Sequence, residues 1–365
     1  MTAPPLARAL PIGMLAAFML SAPAPAQVQL APPAVRQQQP AKPAPKPAAK
    51  KPAAKPQHKS AAPAKTPVPA PAPATAASAP SNGDADLAYG AFQRGHFLTA
   101  FREATKRVDA TGDRRAMTLL GELYAQGLGV PNNDQKAAEW YRLAAERGDP
   151  NAMFALAMFN FGGRAGLRDR NEAARLLASA AKLGHAISAY DLGLLYLEGQ
   201  QFPQDFGRAA ELFRQAAQAG NPDAQYALAT LYKEGRGVPK DEREAARLLG
   251  AAALADNIAA EIEYGLALFN GTGVPKNEAA AAKYLKRAAL KANPVAQNRL
   301  ARMYLMGRGV PADPVAVVKW HLAAKAGGVG DPQLDDYVAK QSPETRAAGE
   351  AAAKPWAAFY AALRS

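Results

Sequence analysis

Residues 224–259 read AQYALATLYKEGRGVPKDEREAARLLGAAALADNIA, and the chain repeats this plan six times between Ala116 and Asp331. A Leu or Tyr followed by a small residue recurs at Leu120-Gly121, Leu156-Ala157, Leu192-Gly193, Leu228-Ala229, Tyr264-Gly265 and Leu300-Ala301, each pair 36 residues after the last. The same interval places Gly127, Gly163, Gly199, Gly235, Gly271 and Gly307 in one column. A fixed period without insertion or deletion is the mark of a stacked array.

The quoted stretch is a helical hairpin. Ala224, Leu228, Leu231 and Tyr232 share one face of a first helix. Gly235 and Gly237 end it, because glycine takes the left-handed conformation without steric penalty. Val238-Pro239 holds the chain extended beyond that stop. Asp241 then serves as the N-cap of a second helix, in a column with Asn133, Asp169, Asp205, Asn277 and Asp313. Glu172 and Glu244 stand three residues after their caps, the spacing of a capping box. Ala245, Ala246, Leu249, Ala252 and Ala253 make the apolar face of the second helix. The recurring small residues, such as Ala144, Ala180, Ala216, Ala252, Ala288 and Ala324, let helices approach closely. One hairpin cannot bury its own face, so the copies must stack into an all-α, α/α solenoid.

The residues Leu120, Gly121, Tyr124, Gly127, Gly129, Val130, Pro131, Lys136, Ala137, Trp140, Tyr141, Ala144, Ala145 and Gly148 carry a pattern that resembles the Sel1-like repeat, a relative of the tetratricopeptide repeat. Two copies depart from it: the second has Asn160 for the tyrosine and lacks Val-Pro, and the third has Gln201-Phe202 for Gly-Val. The resemblance implies a right-handed superhelix of hairpins and a role in protein–protein interaction rather than one reaction.

Outside the repeats, residues 1–26 have the layout of a cleavable secretory signal. Arg8 precedes an apolar run from Ala9 to Leu20, which is 12 residues, and Ala24-Pro25-Ala26 follows as a small-x-small site. That run is shorter than the roughly 20 residues a membrane-spanning helix needs. A periplasmic or secreted location is the expectation. Residues 27–83 form a Pro/Ala/Lys tract, typified by Lys42-Pro43-Ala44-Pro45-Lys46-Pro47, too poor in large apolar residues to fold by itself. It reads as a disordered basic linker. With Arg8 it carries nine of the thirteen net positive charges, so residues 84–365 hold only +4. Lysines attract phosphates, but the tract has no Phe, Tyr or Trp to stack on bases, and with export expected nucleic acid is set aside. Weak contact with anionic envelope surfaces is the alternative use of the tract.

Leu87, Tyr89 and Phe92, then Phe97, Phe101 and Val108, read as a capping hairpin over residues 84–115, broken at Gly95. Residues 332–365 read as a C-terminal cap. There Ser342-Pro343-Glu344 opens a helix and Trp356, Phe359, Tyr360 and Leu363 form an aromatic stripe facing the last repeat.

Catalytic signals are sparse, and no catalytic, cofactor or metal residues are expected. The absence of cysteine removes thiolate chemistry, and the four histidines lie apart from one another; His321 reads as a packing residue. Ser179-Ala180-Ala181-Lys182 matches S-x-x-K, the nucleophile motif of serine β-lactamases and penicillin-binding proteins, which makes a β-lactam-interacting enzyme the remaining alternative. The companion S-D-N and K-T-G motifs are missing, however, and the serine sits in a variable column. What remains is surface for a protein or peptide partner in the cell envelope. By analogy with tetratricopeptide arrays, the first helices line a groove that includes Phe154, Met158, Tyr190, Leu194, Tyr226, Ile262, Leu266 and Phe269. Phe154, Tyr190, Tyr226 and Ile262 share one column, which reads as groove or, preferably, as inter-repeat core. Met158, Leu194 and Leu266 form a second column, better placed for exposure.

Overall fold

The computed structural model describes residues 86–364; the signal and linker readings above lie outside these residues. The described chain is all helix: α1 Leu87–Gln93, α2 Phe97–Thr111, α3 Arg114–Gln126, α4 Asp134–Glu146, α5 Pro150–Gly162, α6 Arg170–Lys182, α7 Ala186–Glu198 and α8 Phe206–Gln218. It continues with α9 Pro222–Glu234, α10 Glu242–Leu254, α11 Ile258–Asn270, α12 Glu278–Leu290, α13 Pro294–Met306, α14 Pro314–Ala326, α15 Pro332–Ala339 and α16 Pro343–Ala362. Helices α3 to α14 pair as six consecutive hairpins, each packed on the next.

Why the backbone follows this schedule is visible at the helix ends. All six predicted caps of the second helices accept backbone N–H groups, from Lys136 to Asn133 at 3.0 Å through Val315 to Asp313 at 3.0 Å. The capping box does not close. Glu172 and Glu244 are each held by an arginine three residues on, Arg175 at 3.0 Å and Arg247 at 2.8 Å, and the Asp241 N–H donates to the Tyr232 carbonyl instead. A second capping column opens the first helices: Asp113, Asp149, His185, Asn221, Asn257 and Asn293. The hairpins therefore begin at Arg114, two residues before the Ala116 from which the period was counted.

The second glycine of the turn is required by a neighbour rather than by its own hairpin. Gly237, Gly273 and Gly309 have φ near +70°, and a Cβ on them would overlap the backbone of Phe206, Glu242 and Glu278 respectively. Each of these neighbours starts or nearly starts the second helix of the preceding repeat, so the turn of one hairpin rests on the N-terminus of the helix before it. An arginine beside the turn tightens this contact. Arg308 pairs with Glu278 and lies 4.1 Å over the Phe269 ring, and Arg236 lies 4.1 Å over Phe206. The divergent second repeat keeps the contact by other means: Ala165 takes φ +54° in a 3-10 turn while Arg164 Nε donates to Asp134 at 3.1 Å and its guanidinium covers Phe159.

The core is a run of Ala, Leu and Phe between adjacent helices. Gly193 shows how tight it is, since a Cβ there would stand 2.6 Å from the Phe213 ring. Side-chain amides, one partly and one fully buried, also fasten repeat to repeat. Gln225 and Gln297 donate to the Ala217 and Ala289 carbonyls at the end of the preceding hairpin. Glu261 occupies the same position and cannot donate; Arg287 reaches in, donating to the Ala253 carbonyl at 3.2 Å and to Glu261 at 2.9 Å, with Lys291 also 2.9 Å from Glu261. The charge of a fully buried glutamate is thereby compensated.

At the N-terminal end α1 and α2 form a hairpin packed on α3. At the other end the predicted aromatic stripe divides. Trp356 packs against Trp320 and Tyr360 is buried, its hydroxyl donating to the Ala292 carbonyl at 2.6 Å, whereas Phe359 and Leu363 face outward. Of this i, i+4 pair Trp356 meets α14, Tyr360 reaches back to the α12–α13 turn and Gln297 of α13, and small residues complete the contact with α14. A Cβ on Gly349 would strike Val318.

Candidate functional site

Successive first helices present the same positions side by side, and their side chains bridge from one repeat to the next. Lys233 Nζ lies 2.7 Å from Glu263, and Asn257 Nδ2 donates to Asp223 at 2.8 Å. The columns thus form a continuous stripe.

Its first column holds Thr118, Phe154, Tyr190, Tyr226, Ile262 and Asn298. Phe154, Tyr190 and Tyr226 are half-buried: one edge packs inward, as the 5.6 Å approach of Tyr190 to Phe213 and the 5.2 Å approach of Phe154 to His185 show, and the other edge remains accessible. Ile262, in the column read as groove or, preferably, as core, is buried in the inter-repeat core. Met158, Leu194 and Leu266, the second column, are half-buried rather than freely exposed. Phe269 is corrected as well. It is 8 % exposed and roofed by Arg308, so it contributes to the core and not to a groove. The period shows which residues share a place; how deep each lies depends on the side chains of the neighbouring repeats.

The stripe also carries charges that the sequence reading passed over. Asp191, between Tyr190 and Leu192 on α7, is half-buried. Burial, reinforced by the nearby Asp223 charge, pushes its carboxyl up to about 7. Among the described residues no hydrogen-bond donor or cation meets it. The same surroundings raise the Tyr190 hydroxyl to about 12. Glu122 on α3 is raised by burial too, with only the Gln126 amide, at 2.6 Å, as a hydrogen-bond partner. The far end is different. Asp331 is 4 % exposed, accepts from Arg302 Nε at 2.7 Å and Asn298 Nδ2 at 2.9 Å, and caps α15. Burial and the positive Arg302 beside it lower Arg299.

The chemical candidates of the sequence lie elsewhere. Ser179 Oγ is exposed and donates to the Arg175 carbonyl at 3.0 Å, the ordinary back-bond of a helical serine. His321 is fully buried, its Nε2 2.8 Å from Asp335 on α15. His185 Nδ1 accepts the Ser188 N–H as a helix cap, and burial lowers its imidazole. Among the described residues no group of three His, Asp or Glu side chains is placed to hold a metal ion, and no helix is long and apolar enough to cross a membrane.

Comparison with known proteins agrees with this architecture. A family model described as the Sel1 repeat matches six times in succession, at residues 114–149, 150–185, 186–221, 222–257, 258–293 and 294–329. The chain is similar to the crystal structure of c5321, a protective antigen present in uropathogenic Escherichia coli strains and displaying an SLR fold. The two are 27 % identical with a TM-score of 0.51, over 73 % of this chain and 65 % of the antigen, so the chain spans a little under two thirds of that protein's length. It is also similar to a Sel1 repeat protein from Oxalobacter formigenes, 27 % identical with a TM-score of 0.55, over 66 % of this chain and 97 % of that one. Comparison with curated proteins gives no match.

Proposed function

The chain belongs to the Sel1 repeat family, whose arrays serve generally as protein-interaction scaffolds, and from that premise we propose that it is a non-catalytic scaffold or regulator in the bacterial cell envelope. The partner is a protein or peptide, bound along the first-helix stripe. The observation that carries this reading is the run of half-exposed apolar side chains Phe154, Met158, Tyr190 and Leu194 across adjacent repeats. Side chains with one edge packed and one edge accessible lose little further entropy on binding and offer area for a partner to cover.

Export is supported by the charged, apolar and small-x-small order of residues 1–26. N-terminal sequencing of protein recovered from the envelope fraction is expected to begin at Gln27; recovery in the cytoplasm with Met1 intact would remove the envelope from the proposal. The binding reading is tested by affinity capture from an envelope extract with residues 27–365 and residues 84–365 as baits. Recognition by the solenoid retains one partner on both baits and loses it when Leu194→Glu is introduced. A second reading, a tether to anionic envelope polymers, is favoured by the eight basic residues and no acid of the 27–83 tract. It predicts capture by the longer bait alone, reversed by salt.

A further inference from the structure

The stripe is apolar over Phe154, Met158, Tyr190 and Leu194, and within it stands one carboxylate, Asp191, with no cation or donor of its own among the described residues. Its nearest charged influence is a second acid, Asp223, whose described side-chain hydrogen bond comes from the neutral Asn257 amide. Several acids elsewhere in the array are paired within the chain: Glu263 by Lys233, Asp331 by Arg302, and the buried Glu261 by Arg287 and Lys291, whereas Glu122 on α3 has only the neutral Gln126 amide. Among the described residues no cation is supplied at Asp191 either.

Resting on the reading that this stripe binds a peptide or protein, we propose that its ligand is an extended peptide segment that places a lysine or arginine on Asp191 between apolar side chains seated on Phe154, Met158, Tyr190 and Leu194. Charge complementarity selects the basic residue. A small free cation would satisfy Asp191 but leave the aromatic and aliphatic edges uncovered, and a purely apolar peptide would cover those edges while burying Asp191 further without a partner, which is unfavourable for a carboxylate. A basic residue flanked by apolar ones meets both requirements.

The test is selection of a phage-displayed library of random peptides on the full chain, with synthetic copies of the selected sequences then titrated against the wild-type, Asp191→Asn, Asp191→Glu and Leu194→Glu proteins, each checked for folding by circular dichroism. The selected peptides are expected to carry Lys or Arg flanked by apolar residues. Asp191→Asn is expected to weaken them about tenfold or more, the scale of a lost charge-assisted hydrogen bond, with Asp191→Glu recovering part of the loss. Selected peptides without a basic residue, equal binding to Asp191→Asn, or no enrichment at all would each overturn the proposal. Binding lost on Leu194→Glu but untouched by Asp191→Asn would leave the stripe as the interaction surface and reject the cation on Asp191. Failure of Leu194→Glu to affect either the peptides or the captured envelope partner would reject the stripe itself.

Discussion

One stripe of first-helix positions runs through the array, and its middle and its C-terminal end are finished differently. Over repeats two to four the columns hold Phe154, Tyr190 and Tyr226 with accessible edges, and Asp191 without a counter-charge among the described residues. Over repeats five and six the same columns hold Ile262 and Asn298, both buried, and the charges there meet partners: Glu263 with Lys233, Asp331 with Arg302 and Asn298. The backbone schedule is the same in both places. The difference lies in which side chains the neighbouring repeat provides, so a stretch of solenoid is closed or left open by substitution at a few positions without disturbing the hairpins. The C-terminal end behaves as structure and the middle as surface.

That contrast can be broken most severely at the closed end. Asp331→Ala strands the Arg302 and Asn298 donors and removes the cap of α15, and is expected to cost about 3 kcal/mol or slightly more; thermal melting of the variant measures it, and an unchanged midpoint would show that the closed end is not held by this network. Truncation within one column sharpens the contrast. Ile262→Ala, in the core, is expected to cost about 2 to 3 kcal/mol and Tyr226→Ala, with an edge in water, about 1 kcal/mol, as read from denaturant midpoints. Equal losses would mean that the column is core throughout.

At the open end the sign reverses. The Asp191 carboxyl is raised from 3.8 to about 7, so the folded chain holds a proton there between those values that the unfolded chain has released. Its contribution to stability therefore declines as pH rises from about 4 to 7 and stays low above 7. Asp191→Asn is expected to gain about 1 to 2 kcal/mol at pH 8 and nothing at pH 4, seen as a melting difference that appears with rising pH. A gain independent of pH would mean that the carboxyl is not strained by its surroundings. The smallest effect is expected away from the stripe. Ser179→Ala removes an exposed back-bond and should change stability by no more than about 0.5 kcal/mol, and a fluorescent penicillin should label neither protein; labelling of wild type alone would require a different account of this chain.

Much of the fold was readable before any coordinates. The glycine columns and the Asn/Asp caps of the second helices are backbone devices that act over a few residues, so their spacing states their role. The caps of the first helices are equally local, with His185 doing the work that Asp or Asn does in the other copies, and they set each hairpin two residues ahead of the Ala column that opens the period. The capping box failed for a reason the spacing does not contain: Glu172 and Glu244 had arginines within reach on their own helices. The site was half legible. Phe154, Met158, Tyr190, Leu194, Tyr226 and Leu266 do lie on an accessible stripe, while Ile262 and Phe269 had been grouped with them by period and hydrophobicity alone. Asp191 looked like any acid in a variable column.

The sequence by itself determined where each helix starts and stops, that hairpins repeat every 36 residues, and that they must stack. Those outcomes follow from short-range conformational preferences and from the apolar faces that one hairpin cannot cover. Tertiary structure alone decided the depth of each position and the fate of each charge. Arg308 roofs Phe269, Arg287 rescues Glu261, and among the described residues no cation reaches Asp191, because burial and ion pairing depend on side chains some 30 residues away in the chain that stacking brings within a few ångströms.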